Sequence, residues 1–300
     1  MNLLFIVTRN EAGLLRLNLA HHLAWGFDHA LVADNESTDG TREVLDGFGD
    51  AVTRASVASP NDRFAALVAL LARAEERHGP ARWVAVSDTD EFWWGPGVDL
   101  NSTLRSIPGN ILGVNAQQKL FLPTVADPRD GPIMCRRLHR TTRNDIPLHT
   151  SYVRGKSIYR AEWIRRALLS HAHRSPAIPP AAWLDLGAHF VHHYMIESED
   201  AFVEKVRSFL GWEPWLQSLL DERRAMRDDE AAHFRFRGFK REWWDLYATR
   251  GEEGLRDYYR SFYVLSEPML REHLASGDLV LDRSFADYLH SRWSIPAPAA

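Results

Sequence analysis

The chain has 300 residues, with 36 Lys and Arg against 40 Asp and Glu, so its formal net charge of −4 gives no electrostatic ground for a nucleic-acid partner. A single cysteine, Cys135, excludes an internal disulfide framework, fits a reducing compartment and reads as a small buried apolar side chain. No stretch approaches the roughly 20 apolar residues of a transmembrane segment, and "MNLLFIVTRNEAG" has no basic segment before its short apolar run, so the expectation is a soluble cytoplasmic protein.

The first 90 residues alternate strand and helix. "LLFIVT" is a continuous apolar run of the kind that forms a buried parallel strand. Asn10 is placed to cap a helix over about 11–25, and Gly26 to end it. "HALVAD" is a second strand, and "NESTDGT" is a turn that opens a second helix. "AVTRASV" reads as a third strand. In the segment that follows, Ser59 is a helix cap, Pro60 fits the first helical position and Asp62 completes a capping box. Phe64, Leu67, Val68 and Leu71 recur with the spacing of one amphipathic face, and Gly79 and Pro80 end the helix. "WVAVS" is the fourth strand.

This order predicts an α/β fold with an open, mostly parallel sheet and flanking helices. Ligands bind such sheets outside the carboxyl ends of the strands. Three segments converge there by topology: Thr8 to Glu11, including Asn10, then Asp34 to Asp39, then Asp88 to Glu91. Past residue 100, "ILGVNAQQKLFLP", "YVRGKSIYR" and "GAHFVHHYM" read as strands, and "SPAIPPAAW" as a connector. From Ser198, a helix cap followed by Glu199 and Asp200, helices dominate to the C-terminal end.

The chemistry concentrates in "WVAVSDTDEFWW". Three carboxylates, Asp88, Asp90 and Glu91, close the fourth strand within four residues. At about 5 Å and an effective dielectric near 20, one such pair repels by roughly 3 kcal/mol. In an exposed loop this spacing is a solvated turn. At the ligand-binding edge of a sheet, a hard divalent cation is the natural counter-charge, held by Asp88 or Asp90 and bridging to a phosphate-bearing ligand. Glu91 is read either as a brace for the loop or as a base. In "HFVHHY", strand alternation puts His189 and His193 on one face and His192 on the other. No cysteine or His-Glu motif supports zinc, so a mixed carboxylate–imidazole site for a harder metal is favoured over it.

These segments together resemble the glycosyltransferase family 2-like group, close to the family 92-type transferases. The resemblance rests on Asn10-Glu11, on the run Asp34 to Thr41, on Asp88-Thr89-Asp90-Glu91-Phe92, and on His193-Tyr194 followed by Ser198, Phe202 and Lys205. It spans roughly residues 3–207. It implies a GT-A type fold, a Rossmann-like sheet with a helical C-terminal extension, divided as a nucleotide-sugar-binding half over 1–125, an acceptor-side half over 126–210 and the extension over 211–300. It implies transfer of a sugar, with inversion, from a nucleotide-diphosphate donor (a UDP-sugar) to a carbohydrate or other hydroxyl acceptor, with Mn²⁺ or Mg²⁺ as cofactor. By the same analogy the product is a bacterial surface polysaccharide.

The resemblance also carries roles to residues. Asp34 matches the position that reads the base or ribose, Asp88 the first acidic position near ribose and metal, Asp90 the principal metal ligand and His193 a histidine that completes the metal shell. Lys156 and His171 match weaker positions, Lys156 as a holder of phosphate or acceptor, and Lys205 is placed to reach the diphosphate. The chain departs from the family at Asn61-Asp62-Arg63, where Arg63 is a further candidate for the donor diphosphate. Asp145, Asp185 and Glu91 are the candidate bases. Trp212, Trp215, Trp243 and Trp244 serve either core packing, sugar stacking or a protein or peripheral partner. Two rival readings are carried: a phosphotransferase with Asp88 as nucleophile, and a non-catalytic sugar-nucleotide-binding protein.

Overall fold

A computed structural model describes residues 1–58, 62–142, 155–166, 175–210 and 231–293. The expectations for Ser59, Pro60, Asp145, His171, Trp212 and Trp215 lie outside these residues, as do those for the side chains of His189 and Trp244. The chain divides into two compact units, one of Met1–Leu120 with Val153–His193, the other of Phe121–Tyr152 with Tyr194–Ala300.

The first unit opens with β1 (Asn2–Thr8), α1 (Ala12–Trp25), β2 (His29–Asp34), α2 (Thr41–Gly47), β3 (Val52–Ser56), α3 (Arg63–His78) and β4 (Trp83–Asp88). It continues with β5 (Glu91–Trp94), α4 (Leu100–Ser106) and β6 (Gly113–Leu120). The second unit supplies α5 (Ile133–Arg136) and β7 (His139–Thr141), and the first unit closes with β8 (Lys156–Arg160), α6 (Ala161–Arg166) and β9 (Trp183–His193). One sheet joins eight of these strands in the order β3-β2-β1-β4-β8-β6-β9-β5. It is an α/β fold with a mixed, mostly parallel sheet.

Direction decides what meets at the sheet's edge. β3, β2, β1 and β4 are parallel, and β6 and β9 run parallel to each other. β8 runs antiparallel to both β4 and β6, and β5 antiparallel to β9. The carboxyl ends of β1, β2, β4, β6 and β9 therefore share one edge with the first residues of β8 and β5. Register confirms this: Thr8 lies opposite Asp34, Val7 opposite Asp88, Leu120 opposite His193, and Glu91 opposite His193 from the other side.

Leu3, Phe5, Val84 and Val86 pack with Leu67, Leu70, Leu71 and Ala74 of α3 in the core. The buried face of α3 is turned slightly from the expected one, since Phe64 and Val68 are only partly covered. Two glycines are required by contact. A Cβ on Gly113 would lie 2.6 Å from the Trp183 ring, and one on Gly155 would lie 2.6 Å from Asn115 Nδ2 and 2.7 Å from the Ala116 carbonyl. Gly155 thus lets β8 begin hard against β6, with Lys156 next in the chain.

In the second unit, α7 (Glu199–Leu210), α8 (Ala231–Tyr258), α9 (Glu267–Ser276) and α10 (Ser284–Trp293) follow β9, with a short β10 (Leu279–Leu281) paired to β7. Ser198 accepts a hydrogen bond from the Ala201 amide at the start of α7, as a cap should. Trp243 takes the packing role, edge-on to Phe202 beside Tyr259 and Tyr263. The buried Arg137 donates to the carbonyls of Met195 and Ile196, securing a turn in which Ile196 has a φ of 56°. No helix among the described residues is long and apolar enough to cross a membrane.

Candidate functional site

The turn between β4 and β5 places Asp88, Thr89, Asp90 and Glu91 at the shared edge. Glu91 is fully buried. Its Oε2 accepts from the Asp88 amide at 2.9 Å and from Ser87 Oγ at 3.2 Å. Its Oε1 accepts from Gln118 Nε2 at 3.0 Å and lies 2.6 Å from Lys156 Nζ. Burial lifts the Glu91 carboxyl above its ordinary range, and Lys156 opposes that shift. Every one of these contacting groups is a donor, so the ionised carboxylate is the form that fits. Glu91 braces the turn; its oxygens are occupied and it is not open to a substrate proton.

Lys156 was expected to hold a phosphate or an acceptor. In the structure it is buried and turned inward, 2.6 Å from Glu91 and 3.0 Å from Asp88 Oδ2. Burial alone would lower its pKa, but the two carboxylates outweigh burial and raise it. The lysine is therefore charged and offsets part of the carboxylate crowding. Asp88 keeps a side chain 62% exposed, open to a ligand from the solvent side.

His193 closes the group. Its Nε2 lies 3.4 Å from Asp90 Oδ2, and its Nδ1 lies 2.7 Å from Gln118 Nε2. Burial pushes the imidazole pKa down, but the Asp90 carboxylate more than reverses this and leaves it raised. Asp90, Glu91 and His193 each offer one ligand atom, all within 4.8 Å of one another. Since Glu91 is spent on its four donors, Asp90 and His193 are the pair that fits a divalent ion. A carboxylate oxygen with an imidazole nitrogen offers a mixed donor set to a divalent cation. Asp88, Asp90 and Glu91 thus gather three carboxyl groups around one ammonium, Lys156, and one imidazole, His193.

One and two spacings across the sheet from β4 lie the loops after β1 and β2. Asp34, nearly buried at the end of β2, accepts from the Ser37 amide at 3.1 Å. At about 4.8 Å per strand, the Asp34 and Asp88 backbones are roughly 10 Å apart, with β1 between. Asn10 does not cap α1. It adopts a φ of 53°, its Oδ1 accepts from the Thr38 amide at 2.7 Å and its own amide donates to Ser37 Oγ at 2.9 Å. The first amide of α1, from Ala12, donates instead to Asp39 Oδ2 at 2.9 Å. Thr8 Oγ1 donates to Glu11 Oε2 at 3.5 Å. The two loops are thus clasped into one rim.

One candidate stands apart. Asp185 is exposed and accepts from Asn115 Nδ2 at 3.3 Å. It lies opposite Asn115, while His193 lies opposite Leu120. Five residues of β6 separate those levels, roughly 17 Å at 3.3 Å per residue, so Asp185 is not brought to the cluster. Arg63 stands exposed at the start of α3, and Lys205 is an exposed residue of α7 in the second unit.

Residues not anticipated from sequence hold the acidic turn from behind. Asn18, His21 and His22 lie on the buried face of α1. Their signal was present: polar side chains at i, i+3 and i+4 within the apolar run "LLRLNLAHHLAW".

No protein-family model matches the chain, and no curated protein does. Among solved structures, it is similar to TarS of S. aureus in complex with UDP-GlcNAc, at 16% identity and a TM-score of 0.37, over 69% of this chain and 65% of that one. The chain thus spans about two thirds of the TarS chain it matches. It is also similar to the mannosyltransferase PcManGT from Pyrobaculum calidifontis in complex with GDP-Man and Mn²⁺, at 15% identity and a TM-score of 0.35, over 92% and 78%. A nucleotidyl transferase from Methanothermobacter (Mth528) matches at 13% identity and a TM-score of 0.31, over 66% and 89%.

Proposed function

We propose that the chain is a metal-dependent glycosyltransferase that moves a sugar from a nucleoside-diphosphate donor, a UDP-sugar, to a hydroxyl acceptor with inversion. The observation that carries the reading is the pairing of Asp90 with His193 at the carboxyl edge of the sheet, beside an exposed Asp88. Asp34 lies two strands away, a span that suits a nucleoside between the rim and the turn. In this reading Asp34 accepts from the base or ribose and Asp88 meets the ribose or the diphosphate. Asp90 and His193 hold Mn²⁺ or Mg²⁺, and Lys156 and Glu91 keep the turn charged and in place. The bound metal supplies charge stabilisation for the departing diphosphate. Neither Glu91 nor Asp185 is assigned as the base, the first because its oxygens are occupied and the second because of its distance.

The test is a thermal-shift panel of nucleoside diphosphates and nucleotide sugars, each with and without Mn²⁺. UDP or a UDP-sugar with Mn²⁺ is expected to raise the melting temperature, and Asp90→Asn to remove the metal-dependent part. If no nucleotide stabilises the protein under any metal condition, the reading fails. Stabilisation without sugar transfer or donor hydrolysis would identify a sugar-nucleotide-binding protein instead.

A further inference from the structure

Among the described residues, β5 is the last strand of the sheet, paired on one side with β9. Along such an edge every second residue turns its backbone groups away from the partner strand. Here the outward residues are Glu91 and Trp93, and side chains of α1 meet them and Thr89 of the preceding turn. Asn18 Nδ2 donates to the carbonyls of Thr89 and Glu91, each at 2.8 Å. His22 Nε2 accepts from the Trp93 amide at 2.9 Å. His21 Nε2 donates to the Trp93 carbonyl at 2.8 Å. His22 Nδ1 in turn donates to Asn18, at 2.9 Å to its carbonyl and 2.8 Å to Oδ1. All three side chains are buried, and His21 and His22 also pack on Phe92.

The two bonds from Asn18 straddle Asp90. The amide fork fixes the carbonyl on either side of the residue whose carboxylate faces His193, while the histidines fix the strand that follows. The turn is itself buried, with Thr89 at 2% and Asp90 at 8% exposure, so these bonds fix its backbone inside the fold and with it the setting of Asp90. We propose that Asn18, supported by His21 and His22, is a positioning residue for the metal centre: it sets the direction of the Asp90 carboxylate through the backbone of the turn. This role rests on the reading of Asp90 and His193 as metal ligands.

The experiment measures Mn²⁺ affinity of the full chain, by electron paramagnetic resonance of free Mn²⁺, well below each variant's melting temperature. Asn18→Asp keeps the shape and removes the donor fork, and is expected to weaken Mn²⁺ by about 10-fold to 100-fold, the usual cost of losing an outer-shell support. His21→Phe keeps the ring packing and releases the Trp93 carbonyl. It is the second variant should Asn18→Asp not fold, with an expected loss of about threefold. Leu67→Ala, in the core under α3, is the control for lost stability alone and should leave the affinity unchanged. The inference is overturned if the folded Asn18 and His21 variants bind within about twofold of wild type while Asp90→Asn binds nothing. It is equally overturned if Leu67→Ala weakens Mn²⁺ as much as they do. A wild-type chain that takes up no Mn²⁺, alone or with UDP, overturns the metal reading itself.

Discussion

Lys156 carries the sharpest consequence at the scale of single residues. A buried carboxylate within 2.6 Å of a buried ammonium is stable only as a pair. Removing the lysine strands Glu91 as an uncompensated interior charge, whereas removing both charges leaves polar neighbours that an amide can still satisfy. Lys156→Met should therefore destabilise the fold by about 3–5 kcal/mol, read from urea unfolding at neutral pH. Adding Glu91→Gln in the same chain should recover a large part of that loss. A cost below about 1 kcal/mol for Lys156→Met would mean that the pair is no stronger than an exposed one. The sequence showed the crowded carboxylates but not this partner. Lys156 is 65 residues beyond Glu91, and only the antiparallel entry of β8 beside β4 brings its side chain back to the carboxyl edge.

Among the elements, the clasp between the first two loops depends on Asp39. Its Oδ2 accepts from the first amide of α1, and its Oδ1 from Thr41 Oγ1 at 2.6 Å and the Thr41 amide at 3.1 Å. One side chain therefore accepts from the first amide of two helices. Asp39→Ala should cost about 1–2 kcal/mol, measured by thermal or urea unfolding, with Asp39→Asn losing less. Burial pulls the Asp39 carboxyl up, but these hydrogen bonds outweigh burial and leave it below the usual range. Its contribution is thus present above the ordinary carboxylate pKa and fades as pH falls through the lowered value. The alternation of strands and helices through β4, and the edge where the motif residues gather, were legible because apolar runs and helical spacing are local signals. β5 was not: "EFWW" is four residues long, too short for periodicity, and its place depends on pairing with β9 about 100 residues later. The cap on α1 was assigned to Asn10 for the same reason, since local spacing cannot show that Asp39 comes across from the next loop.

Considered over the whole molecule, three histidines with lowered pKa values make the fold sensitive to acid, while His193, raised by Asp90, acts in the opposite sense. His22 is held well below its ordinary pKa, first by burial and then by His21 beside it. His29 is pushed down to about 4, by burial and by the neighbouring His78 and Arg77. In the second unit, burial lowers His139 as well. Each of these groups is neutral when folded and takes up a proton near pH 6.5 when unfolded. Between those two values the unfolded chain binds more protons, so stability rises with pH, and the contribution is complete above pH 6.5. Falling pH withdraws it, across the window from 6.5 to about 4 in the case of His29. Urea midpoints measured from pH 7.5 down to pH 4 should therefore decline most steeply below about pH 6.5. His29→Gln, which keeps a polar partner for Thr53 but cannot titrate, should lose less over that interval than wild type. The two curves should converge as the pH drops, because the wild-type chain alone pays a growing proton cost. Parallel curves would show that His29 is protonated alike in the folded and unfolded chain, and would remove it from the account of acid sensitivity.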